Sequence, residues 1–443
     1  MLKDDLAVLR NRQVAALLTA RSISLLGNAI MPIALAFAIL RMPGASATSL
    51  GLVLMARTLT QVTLVLIGGV IADRLPRYRV MVSAEVAAGL AQTATAVLLI
   101  GGNANIPAIA LLAALNGGAL ALFEPASRSM TPQLVPPEAL QSANALLKFA
   151  MRAGTIVGAA LAGVLIAAFG PGVTLGVNAA TFFISALVLL TLRPPRQAPV
   201  TAPSRTLLSQ VLEGWKEFTS RQWVWAIVGQ LAFVNILLSG GFYVIGPVVA
   251  ERSLGGAPAW SAVLTAQAVG FIAGTVVAIR YRPRYPARTA ALLTAAFALP
   301  LFLLAGPVPV VALAIGAFTS AICIDVYEVT VETALQRNVP PEALSRVMSY
   351  EALGSFAFVP LGVAIAGPVA DAVGTRTALL GAGSLIVASG LLVLLLPSVR
   401  HVRATPTTVP AQPQPDSAPE PDPVAAEPRA GGRDGGTDTR GAT

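Results

Sequence analysis

Eleven ionisable side chains interrupt stretches of the sequence that are otherwise apolar. They are Arg21, Arg57, Glu85, Glu124, Arg128, Lys148, Arg152, Asp325, Glu328, Glu332 and Glu351. A charge in an apolar environment is costly, so such residues are usually present because they bind an ion, carry a proton or pair with one another. Proton exchange, ion pairing and binding of a charged molecule are therefore the chemistry that these positions predict.

Three of the acids fall on one stripe of a single helix. Asp325, Glu328 and Glu332 have this spacing, and like charges on one stripe repel unless cations face them or one carboxyl keeps its proton. Two hypotheses follow. In the first, Glu328 and Asp325 line a central cavity and bind and release a proton. In the second, the charges form ion pairs that hold the cytoplasmic half of the protein closed.

The position of each charged residue along its predicted span assigns it to one of these two hypotheses. The candidates for proton coupling or substrate contact are Asp325, Glu328, Glu124, Arg57 and Arg21. The candidates for gate ion pairs are Glu85, Arg128, Lys148, Arg152, Glu332 and Glu351. Three aromatic neighbours of the acids, Phe123, Tyr327 and Tyr350, are candidates to line a cavity for an amphipathic substrate.

Residues for enzymatic chemistry are scarce. The chain has one histidine, His401, and one cysteine, Cys323, so the sequence offers no His-based catalytic set and no cysteine metal cluster. It also lacks the Gly-x-x-x-x-Gly-Lys-Ser/Thr loop of ATPases. We therefore predict that the protein is not an enzyme and uses no metal or cofactor; a membrane enzyme with an acid-only mechanism is the disfavoured alternative.

The elements that position these residues are membrane-spanning helices. Hydrophobic residues make up 55% of the 443 residues and charged residues only 12%, about half the charge of a soluble domain. A span needs about 20 apolar residues. Such stretches occur near 13–39, 46–72, 79–100, 106–133, 141–169, 172–192, 222–250, 258–280, 288–306, 308–336, 343–370 and 376–396. The predicted fold class is an all-α membrane protein with twelve transmembrane helices in two pseudo-symmetric six-helix bundles.

The predicted domain organisation follows from these stretches. A cytoplasmic N-terminus (1–12) precedes the N-terminal bundle (13–192), a linker with an interfacial amphipathic helix (193–221), the C-terminal bundle (222–397) and a disordered tail (398–443). The first apolar stretch is too long for a cleaved signal and is predicted to be retained.

Positive charges in the connections predict the orientation in the membrane. With the N-terminus inside, nineteen Lys and Arg residues of the connections and ends face the cytoplasm, whereas Arg41, Arg252 and Arg376 face the other side. Positive residues accumulate on the cytoplasmic side. We therefore expect a multi-pass inner-membrane protein with both termini in the cytoplasm. Because membrane topology accounts for the net charge of +9, no nucleic-acid partner is predicted.

The two halves of the sequence repeat each other. The segment Val-Pro-Pro-Glu-Ala-Leu at 135–140 recurs at 339–344, and at the same offset Glu124 corresponds to Glu328. Glycines beyond the identical segment also correspond, including Gly158 with Gly362. Parallel repeats of six helices are one architecture of transporters.

The loop after the second apolar stretch reads Gly-Val-Ile-Ala-Asp-Arg-Leu-Pro-Arg-Tyr-Arg, residues 69–79. It resembles the signature loop of the major facilitator superfamily, although Pro76 replaces the usual glycine. The resemblance implies a cytoplasmic gate formed by Gly69, Asp73, Arg74 and Arg77. It also implies that Asp73 caps a helix N-terminus and pairs with an arginine when that side is closed. A solvated loop that only sets topology is the alternative.

Further segments resemble one branch of that superfamily, which contains the enterobactin exporter and macrolide efflux proteins. They are 20–28 (Ala-Arg-Ser-Ile-Ser-Leu-Leu-Gly-Asn), 123–128 (Phe-Glu-Pro-Ala-Ser-Arg) and 350–355 (Tyr-Glu-Ala-Leu-Gly-Ser). Members of this branch often carry an acid where this chain has Asn28, which is a further coupling or substrate candidate. If that acid couples protons in relatives, this chain must use another one.

The resemblance and the embedded charges together predict a monomeric secondary transporter in the lipid bilayer. We expect a proton-coupled exporter of a small amphipathic molecule of the drug or siderophore class. An importer or facilitator of the same fold is one alternative, and a non-transporting membrane receptor or scaffold is another. Retention of the gate and cavity charges argues against the receptor.

Overall fold

A computed structural model describes residues 12–74, 76–135, 140–192, 215, 218–402 and 404, with the backbone alone at 66–74, 141, 142, 341, 342, 345 and 346. The predicted N-terminal segment, most of the linker and most of the tail lie outside these residues, as do the side chains of Asp73 and Arg74 and the surroundings of Gly69.

The first half of the chain forms six helices. They are α1 (Arg12–Leu40), α2 (Ala47–Arg74), α3 (Arg77–Ile100), α4 (Ile106–Leu134), and two helices within Leu140–Leu189, namely α5 (140–169) and α6 (171–189). Leu140–Leu189 has 50 residues, which would be about 75 Å as one straight helix, far more than a bilayer of about 30 Å. Gly170 turns the chain between α5 and α6 with a positive φ of 78°, a conformation that glycine adopts without strain.

The second half also forms six spans. They are α7 (Gln222–Leu254), α8 (Ala257–Arg280), α9 (Pro286–Leu304), α10 (Val310–Asn338), α11 (Pro341–Phe356 and Val359–Val373) and α12 (Thr375–Val393). Within α7, Gly241–Ile245 and Ala250–Leu254 are π-helical. A short helix, α13 (Pro397–His401), follows α12.

These helices confirm the predicted fold class. Eleven helices of the described chain are long and apolar enough to cross a membrane, and the turn at Gly170 divides one of them into two, which makes twelve. The expectation that the tail begins at residue 398 is wrong at its boundary. Val399 is fully buried, and the backbone N–H of Ala404 donates a hydrogen bond to the carbonyl oxygen of Arg284 at 3.1 Å, so the ordered chain extends past α12.

The two bundles meet at the end of the molecule that carries Arg41, which we call the Arg41 end; the opposite end is the Arg77 end. Arg41 contacts Glu251 at 3.0 Å, and the Thr48 hydroxyl donates to Asp371 at 2.6 Å. Helices α2 and α11 are in direct backbone contact there, because Gly367 lies against the backbone of Thr48. The bundles are therefore closed against each other at the Arg41 end.

The contact at Gly367 supports a prediction on stability. A methyl group there would overlap the backbone of Thr48, which cannot move aside as a flexible side chain would. We expect Gly367→Ala to cost about 1–3 kcal/mol, the usual range for overpacking, seen as a lower Tm of the purified protein in detergent. Gly381→Ala is the matched control, because a methyl group at Gly381 meets nothing within 4 Å. Equal Tm values for the two variants would contradict the close contact.

Candidate functional site

The acidic stripe on α10 divides into one buried and two exposed carboxylates. The Asp325 side chain is 5% exposed, whereas Glu328 and Glu332 are exposed. The three residues lie in the half of α10 that leads to the Arg77 end. Burial alone therefore separates Asp325 from its two neighbours.

Both oxygens of the Asp325 carboxylate are engaged. Arg152 on α5 donates to Oδ1 at 3.1 Å, and the Thr275 hydroxyl on α8 donates to Oδ2 at 2.8 Å. The Arg152 guanidinium also lies 5.4 Å from the centre of the Phe271 ring, within cation–π range. Arg152 thus forms an ion pair between the bundles, and its partner is one of the residues that the sequence put forward for proton coupling.

A cavity of about 310 Å³ opens beside this pair within the C-terminal bundle, and we call it the acidic pocket. Its lining comes from α7, α9, α10 and α11 and consists of Leu231, Asn235, Leu238, Phe297, Ile324, Tyr327, Glu328, Val331, Glu332, Leu335, Met348, Glu351, Ser355 and Phe356. The Ser355 hydroxyl donates to Glu351 at 3.0 Å, and Gln336 donates to Glu332 at 3.2 Å. No lysine or arginine is among the described residues that line it.

The aromatic candidates lie in three different environments. Tyr327 lines the acidic pocket. Phe123 lines a small void inside the N-terminal bundle. Tyr350 stacks with Trp215 and Phe218 at centroid distances of 5.6 and 5.5 Å, so it holds the end of the linker against α11. The expectation that Tyr350 lines a cavity is therefore wrong for the pockets that we describe.

The repeat partner of Glu328 has a different environment. Glu124 on α4 accepts from Arg21 on α1 at 3.4 Å and from Arg128 at 3.0 Å, the predicted i,i+4 pair. Arg21 is buried and Arg128 is 75% exposed. The same position of the repeat therefore holds an ion-paired carboxylate in the first bundle, whereas the structure describes no ion pair for Glu328.

Glu85 lies inside the N-terminal bundle and not at its surface. Its side chain is 2% exposed and accepts from Ser185 at 3.1 Å, and Ser24 lines the same small void. Asn28 lines the same void, whose volume of about 10 Å³ suits a single water molecule. Among the described side chains no cation pairs with Glu85, so the expected gate ion pair is not seen for this residue.

The remaining charged candidates lie on the N-terminal bundle. Arg57 donates to Asn116 at 3.4 Å, and Arg77 donates to the carbonyl oxygen of Ser129 at 2.8 Å. No salt bridge of Arg57 or Lys148 occurs among the side chains that the structure describes. The candidate cations are thus on the N-terminal bundle and most of the candidate acids on the C-terminal bundle, an asymmetry that the residue positions in the sequence already show.

Several polar residues of the site were missed from the sequence. Thr275, Asn235, Ser355 and Ser185 each bond to a candidate acid or line the acidic pocket. Serine and threonine are common in membrane helices, where they also bond to their own backbone. Apart from Ser355, which ends the segment 350–355 that resembles the exporter branch, nothing in their sequence context marks these residues.

An all-helical membrane protein built as two bundles, closed at one end and with exposed carboxylates towards the other, has the architecture of a transporter. The family model described as the Major Facilitator Superfamily matches residues 17–350. The chain belongs to the major facilitator superfamily, and it is a transporter and not an enzyme.

Characterised relatives of similar length share this membership. The chain is 28% identical over 393 residues to the multidrug efflux pump Tap of Mycolicibacterium fortuitum, covering 85% of this chain and 93% of that protein. It is 25% identical over 404 residues to Tap of Mycobacterium tuberculosis H37Rv, covering 86% of this chain and 92% of that protein. It is 28% identical over 365 residues to the enterobactin exporter EntS of Escherichia coli HS, covering 78% and 83%.

Solved structures show the same fold. The nucleoside transporter NupG matches with a TM-score of 0.71 at 14% identity, covering 86% of this chain and 98% of that chain. A POT peptide transporter in complex with sulfate matches with a TM-score of 0.69 at 14% identity, covering 89% and 96%. At these identities the likeness concerns the fold alone.

Proposed function

We propose that this protein is a proton-coupled exporter of a small amphipathic molecule that works by alternating access. The observation that carries the proposal is the state of its carboxylates. Asp325 is buried and bonded to Arg152 and Thr275, whereas Glu328 and Glu332 are exposed in a pocket whose described lining residues include no lysine or arginine. The relatives named multidrug efflux pump and enterobactin exporter support export of a small molecule.

Glu328 is the carboxylate that we assign to the coupling proton, in place of Asp325. When the bundles close at the Arg77 end, the exposed Glu328 carboxylate loses its water, and a buried charge without a partner is costly. A proton taken up while the carrier is open at the Arg41 end removes that charge for the return passage. Release of the proton at the Arg77 end restores the carboxylate, so that the proton moves inwards in the cycle that moves the substrate outwards. Asp325 does not need this step, because Arg152 already compensates its charge.

The distribution of positive charges between the two ends supports the orientation in the membrane. We assign the Arg77 end to the cytoplasm and the Arg41 end to the outside, with both termini in the cytoplasm of an inner-membrane protein that acts as a monomer. The structure is then closed to the outside, and the acidic pocket is accessible from the cytoplasm. A substrate would enter from that side and leave after the bundles have closed at the Arg77 end.

Transport into inverted membrane vesicles tests this proposal. These vesicles expose the cytoplasmic face, and an acidic lumen imposes the gradient that drives proton-coupled export. We expect fluorescent drugs to accumulate in the lumen and to leave it when a protonophore collapses the gradient. Equilibration that ignores the gradient would indicate a facilitator, and movement out of the lumen would indicate an importer. No movement with a broad panel of compounds would favour the receptor.

The gate motif supports a second test in the same vesicles. We expect Asp73→Asn to reduce the rate of transport about tenfold or more, because the helix cap and the charge pair implied by the motif would both be lost. Asp4→Asn, which removes an acid predicted to lie outside the spans, is the control. Unchanged transport by Asp73→Asn would refute the gate assignment.

A further inference from the structure

We infer that a second pocket, at the Arg77 end, binds a phosphate group, and that the headgroup of an anionic phospholipid supplies it. This pocket, which we call the basic pocket, has a volume of about 270 Å³ and lies where the ends of α8 and α10 meet the start of α9. Its polar lining residues are Tyr281, Arg282, Thr330, Thr333, Arg337 and Asn338. The inference depends neither on the cargo nor on the coupling proton.

The first argument is that two arginines from different parts of the chain border this one volume. Arg282 follows α8, and Arg337 lies in the last turn of α10. The structure describes no ion pair for either guanidinium, and no aspartate or glutamate is among the described lining residues. Two guanidinium groups at one cavity repel each other unless an anion lies between them. Arginine also matches the geometry of phosphate oxygens, which it binds through two parallel N–H groups.

Helix α10 separates the basic pocket from the acidic pocket. The acids Glu328 and Glu332 line the acidic pocket. Thr330, Thr333 and Arg337 line the basic pocket, and their spacing of three and four positions puts them on one face of the helix. The acids of α10 therefore lie on a different face from Arg337, and the structure describes no ion pair between them and this arginine.

The second argument is independent of charge and concerns Thr330. Its side chain is 6% exposed and lines the pocket, and the structure describes no hydrogen bond of its hydroxyl. Other threonines of these helices donate to a backbone carbonyl one turn earlier, as Thr275 and Thr319 do at 3.1 and 2.9 Å. The Thr330 hydroxyl is not enclosed by protein atoms, whereas the Tyr327 hydroxyl is. A phosphate oxygen in the pocket would accept a hydrogen bond from Thr330.

The start of α9 adds positive potential to the same pocket. Pro286 lines the pocket and begins α9, and no side chain caps this helix at Tyr285. The N-terminus of a helix carries partial positive charge and free backbone N–H groups, which favour a phosphate. The helix and the two arginines therefore attract an anion in the same place.

The surroundings of the pocket favour a lipid as the source of the phosphate. Val329 lines the pocket and is 38% exposed, and Val277, one turn before Tyr281 on the spanning helix α8, is 42% exposed. Acyl chains attached to the phosphate can lie against these apolar side chains. Tyr281 is itself exposed, and tyrosine is enriched at the level of the lipid headgroups. Anionic lipids are attracted to basic residues at this level.

Membrane topology does not by itself account for these features. Positive residues are expected at the cytoplasmic ends of spans, and Arg337 is also favourable near the C-terminus of α10. Neither reason requires two arginines to share a cavity with a buried hydroxyl for which no partner is described.

Thermophoresis of the purified full-length protein in neutral detergent tests the inference. The probes are dioleoylphosphatidylglycerol, dioleoylglycerol, which has the same chains without the phosphate, and inorganic phosphate. We expect saturable binding of the phospholipid, and we expect Arg282→Gln and Arg337→Gln each to weaken it about tenfold. The matched control combines Arg280→Gln with Arg288→Gln, which removes two positive charges from the same end but not from the lining. Screening at physiological salt should keep the effect of this control within about twofold.

Thr330→Val gives a readout that general attraction between charges would not give. The variant removes a hydroxyl for which no protein partner is described, so we expect it to fold normally. It should weaken the phospholipid several-fold at low and at high salt alike, because a neutral hydrogen bond is lost. The effect of the arginine substitutions should shrink as the salt concentration rises. Thr330→Val also keeps the test decisive if an arginine variant fails to fold.

The probes distinguish the two sources of phosphate. If millimolar inorganic phosphate does not displace the phospholipid, the lipid is the source. If it does, and if its own binding needs Arg282, Arg337 and Thr330, the phosphate site stands and its source is a soluble compound.

Three results would overturn the inference. They are no saturable binding of phospholipid or phosphate to the wild-type protein, binding of dioleoylglycerol as tight as that of the phospholipid, and substitutions at the three lining positions that leave binding unchanged. Each is compatible with gradient-driven transport in vesicles. Conversely, absence of transport with intact phosphate binding would refute the proposed function and leave the basic pocket as assigned.

Discussion

Glu328→Gln is expected to abolish transport driven by a pH gradient while leaving exchange of substrate down its own gradient. Glutamine has the shape of the protonated glutamate but cannot gain or lose the proton. The variant should therefore return from the state open at the Arg41 end without taking up a proton there, which uncouples the carrier. We expect accumulation in acid-lumen vesicles to fall at least about tenfold, since an uncompensated buried charge is worth several kcal/mol.

The comparison that makes this result specific is Asp325→Asn. If Glu328 carries the proton, Asp325→Asn keeps a response to the pH gradient, because Asp325 is ion-paired with Arg152 and is not the proton carrier. Glu328→Asp retains a titratable group and should keep partial coupling. Full gradient-driven accumulation by Glu328→Gln would exclude Glu328 as the coupling group, and loss of coupling only in Asp325→Asn would return that role to Asp325.

The second large effect is expected from Arg152→Ala. This substitution leaves the Asp325 carboxylate 5% exposed with the Thr275 hydroxyl as its described hydrogen-bond donor. A buried charge that loses its partner costs about 3–5 kcal/mol. Arg152 itself is 45% exposed, so solvent screening reduces the expected loss to about 2–3 kcal/mol. The measurement is the Tm of the purified variant in detergent.

A double substitution shows whether this loss comes from the unpaired charge. In the Arg152→Ala background, Asp325→Asn removes that charge and is expected to recover part of the lost Tm. Asp325→Asn alone should cost less than Arg152→Ala, because the freed guanidinium can reach water. If the double variant is less stable than Arg152→Ala alone, the charges are not a coupled pair, and the contact between α5 and α10 rests on packing.

Most of the fold was predictable because local composition determines it. Lipid-exposed backbone must satisfy its own hydrogen bonds, so each long apolar stretch has to become a helix. The predicted spans 106–133 and 258–280 differ from Ile106–Leu134 and Ala257–Arg280 by a single residue at one end. The break at Gly170 was also visible, since Gly170 and Pro171 separate two apolar stretches.

The partners of the charged residues were less predictable. The i,i+4 pair of Glu124 and Arg128 follows from helix geometry alone. The spacing of Lys148 and Arg152 carries no comparable information, because Arg152 bonds to a residue 173 positions away in the other bundle. Glu85 was expected to form an ion pair and instead accepts from Ser185 inside its own bundle. Such partners depend on how the helices are rotated and packed.

The sequence by itself determined the class of this protein: the number of spans, their repeat, the superfamily and the set of charges within the membrane. These properties follow from hydropathy and from spacing along one helix, which are local. Only the tertiary structure decided that Asp325 is compensated and that Glu328 borders a pocket with no lysine or arginine among its described lining residues. Those properties depend on distances between helices, and such distances arise from packing that no single segment encodes.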